Sequence, residues 1–521
     1  MGLRLRSTLL PAVATALVLA ACSPPPQSGE PDAAGETGGG SEQAGGGTLV
    51  LARSGDIDNL DPHLATAFQT IEALELVYDT LFELDAELEV QPGLATDWEY
   101  SEDGTTLTIT LREGVTFHDG DAFDSADVTA SIERILDEST GAVVRTNLLS
   151  IAEVEAPDAQ TVVLTLSEPD GTLPAALTSV NTAMVSDVAL ADDAVGTQPN
   201  GTGPFVFDDW AQGQQVTLSA NPDYWGEGPY VDGVEIRVVP EESSILAGLR
   251  ADEFHIGVLS DPAVVEQVGD EITVERTLEL GYFPFFLNSE RPPLDDPLVR
   301  QAMACAVDRE QVIEAAVFGE GEPTGPFVAG AGAGVFDGLP CTETDPELAT
   351  QLLTEAGYAD GFSLETIVIT GENNAALNVA QSLQAQLAAV GVDLELVPLE
   401  TNVYVDRWLA ADFDSALSAN GASIDPHLTY AKYFTSSGNF QDVAKYSTPE
   451  LDQLFAQGKA ETDPEARGEI YAEISRLLLD ASPWVWLYTG YRYQALQPEV
   501  TGFVPLPTGS LTSLRDVRIE S

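Results

Sequence analysis

Between residues 105 and 111 the sequence TTLTITL alternates polar and apolar side chains, the period-two signature of a half-buried strand. Similar stretches recur along the first half of the chain. TLVLAR (48–53), TVVLTL (161–166), QQVTLS (214–219) and VDGVEIRVVP (231–240) read as strands or as turns running into strands. GDIDNLDPH (55–63) is a polar loop, and GTGPF (201–205) is a turn in which glycine supplies unusual backbone dihedrals. Helical spacing predicts an amphipathic helix over FQTIEALELVYDTLFEL (68–84), a helix over 126–136 capped by Ser125, and a short helix over 243–250. After residue 280 the pattern renews. FPFFLN (283–288), LETIVI (364–369) and VDLELVPL (392–399) are strands; 296–317 and 375–390 are helices, the second ending at Gly391. Strand–helix–strand order implies parallel pairing in a second α/β unit. Two apolar stretches in 484–521 would return to the first unit, so the chain predicts two lobes with crossings near residues 285 and 490. DPHL occurs at 61–64 and again at 425–428; without flanking similarity the repeat reads as coincidence.

The N-terminus has a different pattern. Arg4 and Arg6 precede an apolar run, 7–21, that is interrupted by Pro11 and is short for a membrane span. Residues 1–21 therefore read as a secretory signal. Leu19-Ala20-Ala21-Cys22 resembles the lipobox of bacterial lipoproteins, in which the cysteine is acylated and becomes the new N-terminus. Residues 23–47 have no periodicity and no large apolar side chain; with Cys22 they form a flexible tether, reaching about 5–6 Å × √n. The expectation is a protein outside the cytoplasm, lipid-anchored through Cys22 to the outer face of the cytoplasmic membrane, at the cell surface or in a periplasm, with no other membrane attachment.

The body after residue 47 is too long for one core and predicts two or three domains. Hydrophobic residues make up 44% of the chain, which is normal for a globular protein. The charge is not: 85 acidic side chains face 21 basic ones, a formal net charge of −64. The only lysines are Lys432, Lys445 and Lys459. Such a field repels nucleic acid, anionic lipid and polyanionic substrates. It fits a high-salt habitat, where screening relieves self-repulsion, and equally a compositional bias of a secreted protein. Cys305 and Cys341 form an even pair suited to a disulfide in an oxidising compartment, or remain two buried thiols.

No P-loop, dinucleotide-binding glycine motif, HExxH or GxSxG is present, and His63, His118, His255 and His427 are far apart. The sequence shows no nucleophile with its base and no metal-ligand spacing. A binding role without catalysis or cofactor is expected, with a surface hydrolase as the alternative from another class.

Several stretches, in order, resemble the solute-binding proteins of peptide/nickel ABC importers, family 5. They are GTLVLARSGDIDNLDPH (47–63), LREGVTFHDGDAFDSADVTASIER (111–134), GTGPFVF (201–207), NPDYWGEGPYVDGVEI (221–236), LNSERPPLDDPLVRQAMACAVDRE (287–310) and residues 446–488. The resemblance implies an α/β, two-lobed periplasmic-binding-protein-like fold (type II, cluster C) with a subdomain inserted in the first lobe. On that basis lobe I is 48–285 plus 490–521, with the insertion at about 92–200, and lobe II is 286–489. It also implies a monomer that captures a peptide or similar solute and delivers it to an ABC permease with its ATPase subunits. Nickel or metal-chelate ligands and neutral oligosaccharides are alternatives within the family.

The resemblance directs attention to SANGASIDPHLTYAKYF (418–434). Where peptide-binding relatives place an aspartate for the α-ammonium, this chain has Ala422; where glutathione-type relatives place an arginine, it has Ser423. Asp425 is a substitute anchor or, more simply, the cap of a turn before Pro426. His427 is a candidate metal ligand or a loop histidine; Arg112, Arg134 and Arg145 are not evidently placed to support a chelate. Phe68, Tyr404, Trp408, Tyr430 and Tyr433 are candidate pocket aromatics, and Asn420 and Ser423 candidate neutral hydrogen-bonding groups.

Overall fold

The computed structural model describes residues 46–191, 194–327, 341–370 and 375–520. The signal segment, Cys22 and residues 23–45 of the tether lie outside them. Residues 44–521 form one compact unit. Among the described residues twelve strands share a single sheet, whose spine is the 13-residue strand Trp484–Leu496. Its first half pairs antiparallel with Phe283–Leu287 and Gly321–Pro323. Its second half pairs antiparallel with Ile256–Leu259 and Thr273–Leu278. On the first side the sheet continues through Ser415–Leu417 to Phe362–Thr370 and Val392–Glu400, the last two parallel over nine residue pairs. On the other side Thr48–Arg53 lies parallel to Ile256–Leu259 and Gly233–Val238.

Separate cores line these parts of the sheet. Leu51, Val77, Phe205 and Ile236 belong to one, Phe285, Met303, Leu383 and Leu394 to a second, and Tyr430, Phe434, Trp484 and Trp486 to a third. A four-stranded antiparallel sheet, which includes Ala95–Tyr100 and Thr161–Leu166, has its own core of Leu107, Ile132, Val162 and Leu164. The segment before Phe283–Leu287 is tied to the middle of the long strand. The Glu279 N–H donates to Gly490 O (3.0 Å), and Thr489 Oγ1 donates to Glu279 O (2.7 Å) and Gly281 O (2.6 Å).

Several local expectations are corrected. The helix predicted over 68–84 is confined to Phe68–Leu74, with the strand Phe82–Leu84 beyond it. The carbonyls of Leu76 and Val77, which a continuing helix would use, instead accept from Phe205 N and Gly203 N (both 3.0 Å). That contact also corrects the reading of GTGPF. Neither Gly201 nor Gly203 has positive φ; a Cβ on Gly203 would stand 2.6 Å from the Val77 carbonyl carbon, so glycine is required for close approach. The helix predicted over 296–317 is two, Pro297–Ala306 and Arg309–Val317. Asp308 starts the second by accepting Gln311 N at 3.0 Å. The cap of Ser125–Leu136 is Asp124, in a capping box with Asp127, rather than Ser125. Ser125 Oγ donates to Asp158 O at 2.7 Å instead. Cys305 and Cys341 are joined as a disulfide.

Candidate functional site

A cavity of about 670 Å³, within the size range of small-molecule sites, is lined by residues from 68–204, 279–281, 419–428 and 492–515. One wall is the segment Ala419–Ile424 with Leu428. Its position is fixed by a two-way backbone bridge, Tyr282 N to Asn420 O (2.9 Å) and Asn420 N to Tyr282 O (2.8 Å), and by Asn420 Nδ2 donating to the Tyr282 hydroxyl (2.7 Å). Thr429 Oγ1 accepts the Ser423 N–H at 2.9 Å. This wall carries no charge.

The charged side chains lining the cavity are Glu75, Asp79, Glu83 and Glu279, together with Arg492 and Arg515, none of them from Ala419–Ile424. Arg515 is held by Glu83 through two contacts of 3.1 and 2.8 Å and by the Tyr224 hydroxyl. Arg492 lies 2.6 Å from Glu72, which also meets Arg53 at 3.1 Å. Asp79 accepts from Thr202 Oγ1 (2.8 Å) and Trp225 Nε1 (2.7 Å). Burial, and then the Glu83 charge, push the Asp79 carboxyl up to about 6 against these hydrogen bonds. Burial is also the main cause that raises Glu75 to about 7; Ser510 and the Leu511 backbone oppose it, and the Glu72 charge adds to it. Glu279 is raised by burial too, with Arg492 opposing. Glu75 Oε2 has no hydrogen-bond partner.

Of the residues singled out in the sequence, Phe68, Asn420 and Ser423 line this cavity, and Phe68 is the most exposed large apolar side chain among the described residues at 66%. Ala422 lines it as well. Tyr404, Trp408, Asp425, His427, Tyr430 and Tyr433 do not. Tyr404 is buried and donates to Ser418 Oγ (3.0 Å); Tyr430 is buried and accepts from Trp486 Nε1 (3.1 Å). Trp408 packs edge-on against Phe286 and Tyr433. His427 is turned toward Phe455, ring centres 6.0 Å apart, and burial lowers its pKa to about 4. Asp425 caps the helix Pro426–Phe434, accepting His427 N at 2.8 Å, and receives Arg467 Nη1 at 2.5 Å.

The repeated DPHL, read as coincidence, is one device used twice. Asp61 accepts His63 N (3.0 Å) at the start of the turn Pro62–Leu64 and receives Arg134 Nη2 (2.5 Å). His63 is buried, has its Nε2 3.0 Å from Ala183 O, and is lowered to about 4, chiefly by burial. In each lobe an aspartate caps a turn, proline comes next, and an arginine from another segment neutralises the carboxylate.

Sequence reasoning missed the charged wall, although a signal existed. Glu75, Asp79 and Glu83 recur at intervals of four, which a helix would present as one solvated face. The chain is not helical there, and all three line the cavity instead. Outside the cavity lining, Lys459 on the helix Pro449–Ala460 reaches the segment 168–171. It meets Glu168 at 2.6 Å and Asp170 at 3.5 Å while its carbonyl accepts Gly171 N at 2.7 Å. Leu428 packs against the core that contains Leu107. Among the described residues no group of three or more His, Cys, Asp or Glu is arranged to hold a metal ion, and no helix is long and apolar enough to cross a membrane.

Residues 89–442 match the family model of bacterial extracellular solute-binding proteins, family 5. The chain is 29% identical over 488 residues to the glutathione-binding protein GsiB of Shigella flexneri, covering 88% of this chain and 92% of that one. It is 28% identical over 499 residues to the dipeptide-binding protein of Escherichia coli, covering 89% and 93%. Among solved structures, the periplasmic binding protein DppA of Helicobacter pylori, in complex with the peptide STSA, superposes with a TM-score of 0.76 at 27% identity, over 92% of this chain and 99% of that one.

Proposed function

This chain belongs to family 5 of the bacterial extracellular solute-binding proteins of ABC importers, and on that premise we propose that it captures short peptides, glutathione-like ones included, and hands them to a membrane permease. The observation that carries the peptide reading is the cavity itself. It is about 670 Å³, is walled by both lobes, and offers neutral backbone and amide groups from Ala419–Ile424 on one side and charged groups on the other. A peptide presents this same mixture of main-chain donors and acceptors with charged ends. Backbone recognition tolerates many side chains, and water fills what a smaller one leaves.

In this reading lobe I comprises 48–285 and 490–521, with 92–200 inserted, and lobe II comprises 286–489. Solute binds one lobe and the other closes; the differential affinity for the closed state drives the hinge. Phe68, Asn420 and Ser423 contact the solute. Tyr404, Asp425, His427 and Tyr430 hold the second lobe's wall in place from behind, so the metal-chelate reading through His427 loses its ligand. The protein works as a monomer, without cofactor and without chemistry on its solute, anchored through acylated Cys22 outside the cytoplasmic membrane, beside a permease and its ATPase subunits. Titration calorimetry and thermal shift with di- to hexapeptides and glutathione test the reading. Binding with recovery of intact peptide is expected; no response across the set rejects it.

A further inference from the structure

The cavity has one neutral wall and one charged wall, and on the charged wall most groups are already engaged. Arg515 is taken by Glu83 and Tyr224, Arg492 by Glu72, and Asp79 by Thr202 and Trp225. Two carboxylates are less fully engaged: Glu75, reached by Ser510 and the Leu511 backbone, and Glu279. Glu75 Oε2 is buried with no hydrogen-bond partner. Glu279 has no side-chain partner among the described residues, and its backbone is part of the crossing between lobes. Both carboxylates sense the same neighbours, Glu72 and Arg492. A buried carboxylate oxygen left without a partner is costly, and a cation placed against it removes the cost. Arg515 is held by Glu83 and Tyr224, whereas Arg492 has a single contact, with Glu72.

Resting on the peptide reading but not confined to it, we propose that the site selects solutes bearing a cationic group, an ammonium or a guanidinium, which Glu75 and Glu279 of the first lobe hold. The second lobe then supplies neutral contacts only, through Asn420, Ser423 and the backbone around Ala422. Because Glu279 sits on the crossing, the bound cation ties together the pocket and the hinge. The groups facing Glu75 are Glu72 on the adjacent helix Phe68–Leu74, Arg492 on the central strand, and Ser510 with the Leu511 backbone. With the Glu75 carboxyl up at about 7 in the empty protein, a cation draws it to the ionised form and a proton leaves. Affinity therefore rises as pH rises through 7 and falls below it.

The test uses the full soluble body and matched probes: trialanine against N-acetyl-trialanine, Ala-Lys-Ala against Ala-norleucine-Ala, and agmatine against n-butylurea as a non-peptide pair. Calorimetry is run at pH 6 and 8 in two buffers of different ionisation enthalpy. Expected are affinities roughly 10- to 100-fold tighter for the cationic member of at least one pair, proton release on binding, and loss of that preference in E75Q and E279Q. Equal binding of cationic and neutral members, proton uptake, or a preference unchanged in both variants overturns the inference while peptide binding stands. Binding of agmatine alone, dependent on Glu75, sustains the inference and removes the peptide reading. No binding of any cationic probe ends the inference, while the peptide reading is decided by the di- to hexapeptide and glutathione set.

Discussion

Replacing Asp425 with alanine separates a structural carboxylate from a solute anchor. In the structure one oxygen caps the helix Pro426–Phe434 at His427 N, 2.8 Å away, and the other receives Arg467 Nη1 at 2.5 Å. Both side chains are nearly inaccessible, at 2% and 10% exposure. Loss of the cap costs about 1 kcal/mol. Stranding the buried guanidinium costs more, about 3–5 kcal/mol for a buried pair broken on one side. Arg467 keeps Gly458 O at 2.8 Å and the Tyr471 hydroxyl at 3.4 Å, which places the combined loss nearer the lower end, about 3–4 kcal/mol. The assay is urea unfolding monitored by tryptophan fluorescence, with Trp484 and Trp486 reporting from the core next to this helix. D425A is expected to unfold at markedly lower urea without any solute present. The double variant D425A/R467M removes the stranded charge and should recover most of the loss, leaving the cap deficit and a coupling of about 2 kcal/mol or more between the two sites. If D425A unfolds at the wild-type urea concentration yet no longer binds peptide, the structural assignment is wrong and Asp425 touches the solute.

Four other perturbations have definite expected outcomes. Removing the Cys305–Cys341 bond opens a loop spanning a separation of 36 residues and should lower stability by about 4 kcal/mol on the chain-entropy relation, measured as a shift of the urea midpoint in C305S/C341S. K459M removes the contacts with Glu168 and Asp170; because Glu168 is exposed the effect is small, up to roughly 5-fold in peptide affinity, with a larger radius of gyration by X-ray scattering in the unliganded protein. Glu75 has a folded pKa raised to about 7 from 4.5, so the folded state binds an extra proton between those values and loses stability as pH rises through them. E75Q lacks this loss and should gain melting temperature relative to wild type at pH 8 but not at pH 4.5. Finally, with a formal charge of −64, the melting temperature should climb from dilute buffer to molar KCl as self-repulsion is screened; a flat response would leave the acidic composition without a stabilising role for salt.

The strands were legible because alternation and short apolar runs survive folding unchanged: TLVLAR and TVVLTL occupy the strands Thr48–Arg53 and Thr161–Leu166. The parallel pair Phe362–Thr370 and Val392–Glu400 was readable from strand–helix–strand order. The main failure comes from competition by distant backbone. Residues 75–81 carry helical spacing, yet Gly203 and Phe205, more than a hundred positions away, claim the carbonyls that a helix would use. Predicting that helix also concealed the charged wall, since it gives no reason for Glu75, Asp79 and Glu83 to line one cavity. The aromatics near residues 404–433 were expected at the solute because loops in this region face the cleft; Tyr404, Tyr430 and Tyr433 instead fill the core beneath it. Nothing in their spacing distinguishes a ring that touches solute from one that supports the loop.

The strand Trp484–Leu496 pairs with strands on both sides of the sheet along its whole length, with one register shift opposite Phe283 and Pro284. A connection of that kind flexes like a leaf spring. It yields out of the plane of the sheet but resists stretching and sideways shear, so the approach of the two halves takes a single soft path. Gly490 stands where this strand leaves Gly321–Pro323 for Thr273–Leu278, and a Cβ there would meet open space, so G490A alters the backbone freedom of the crossing with no atom of the pocket changed.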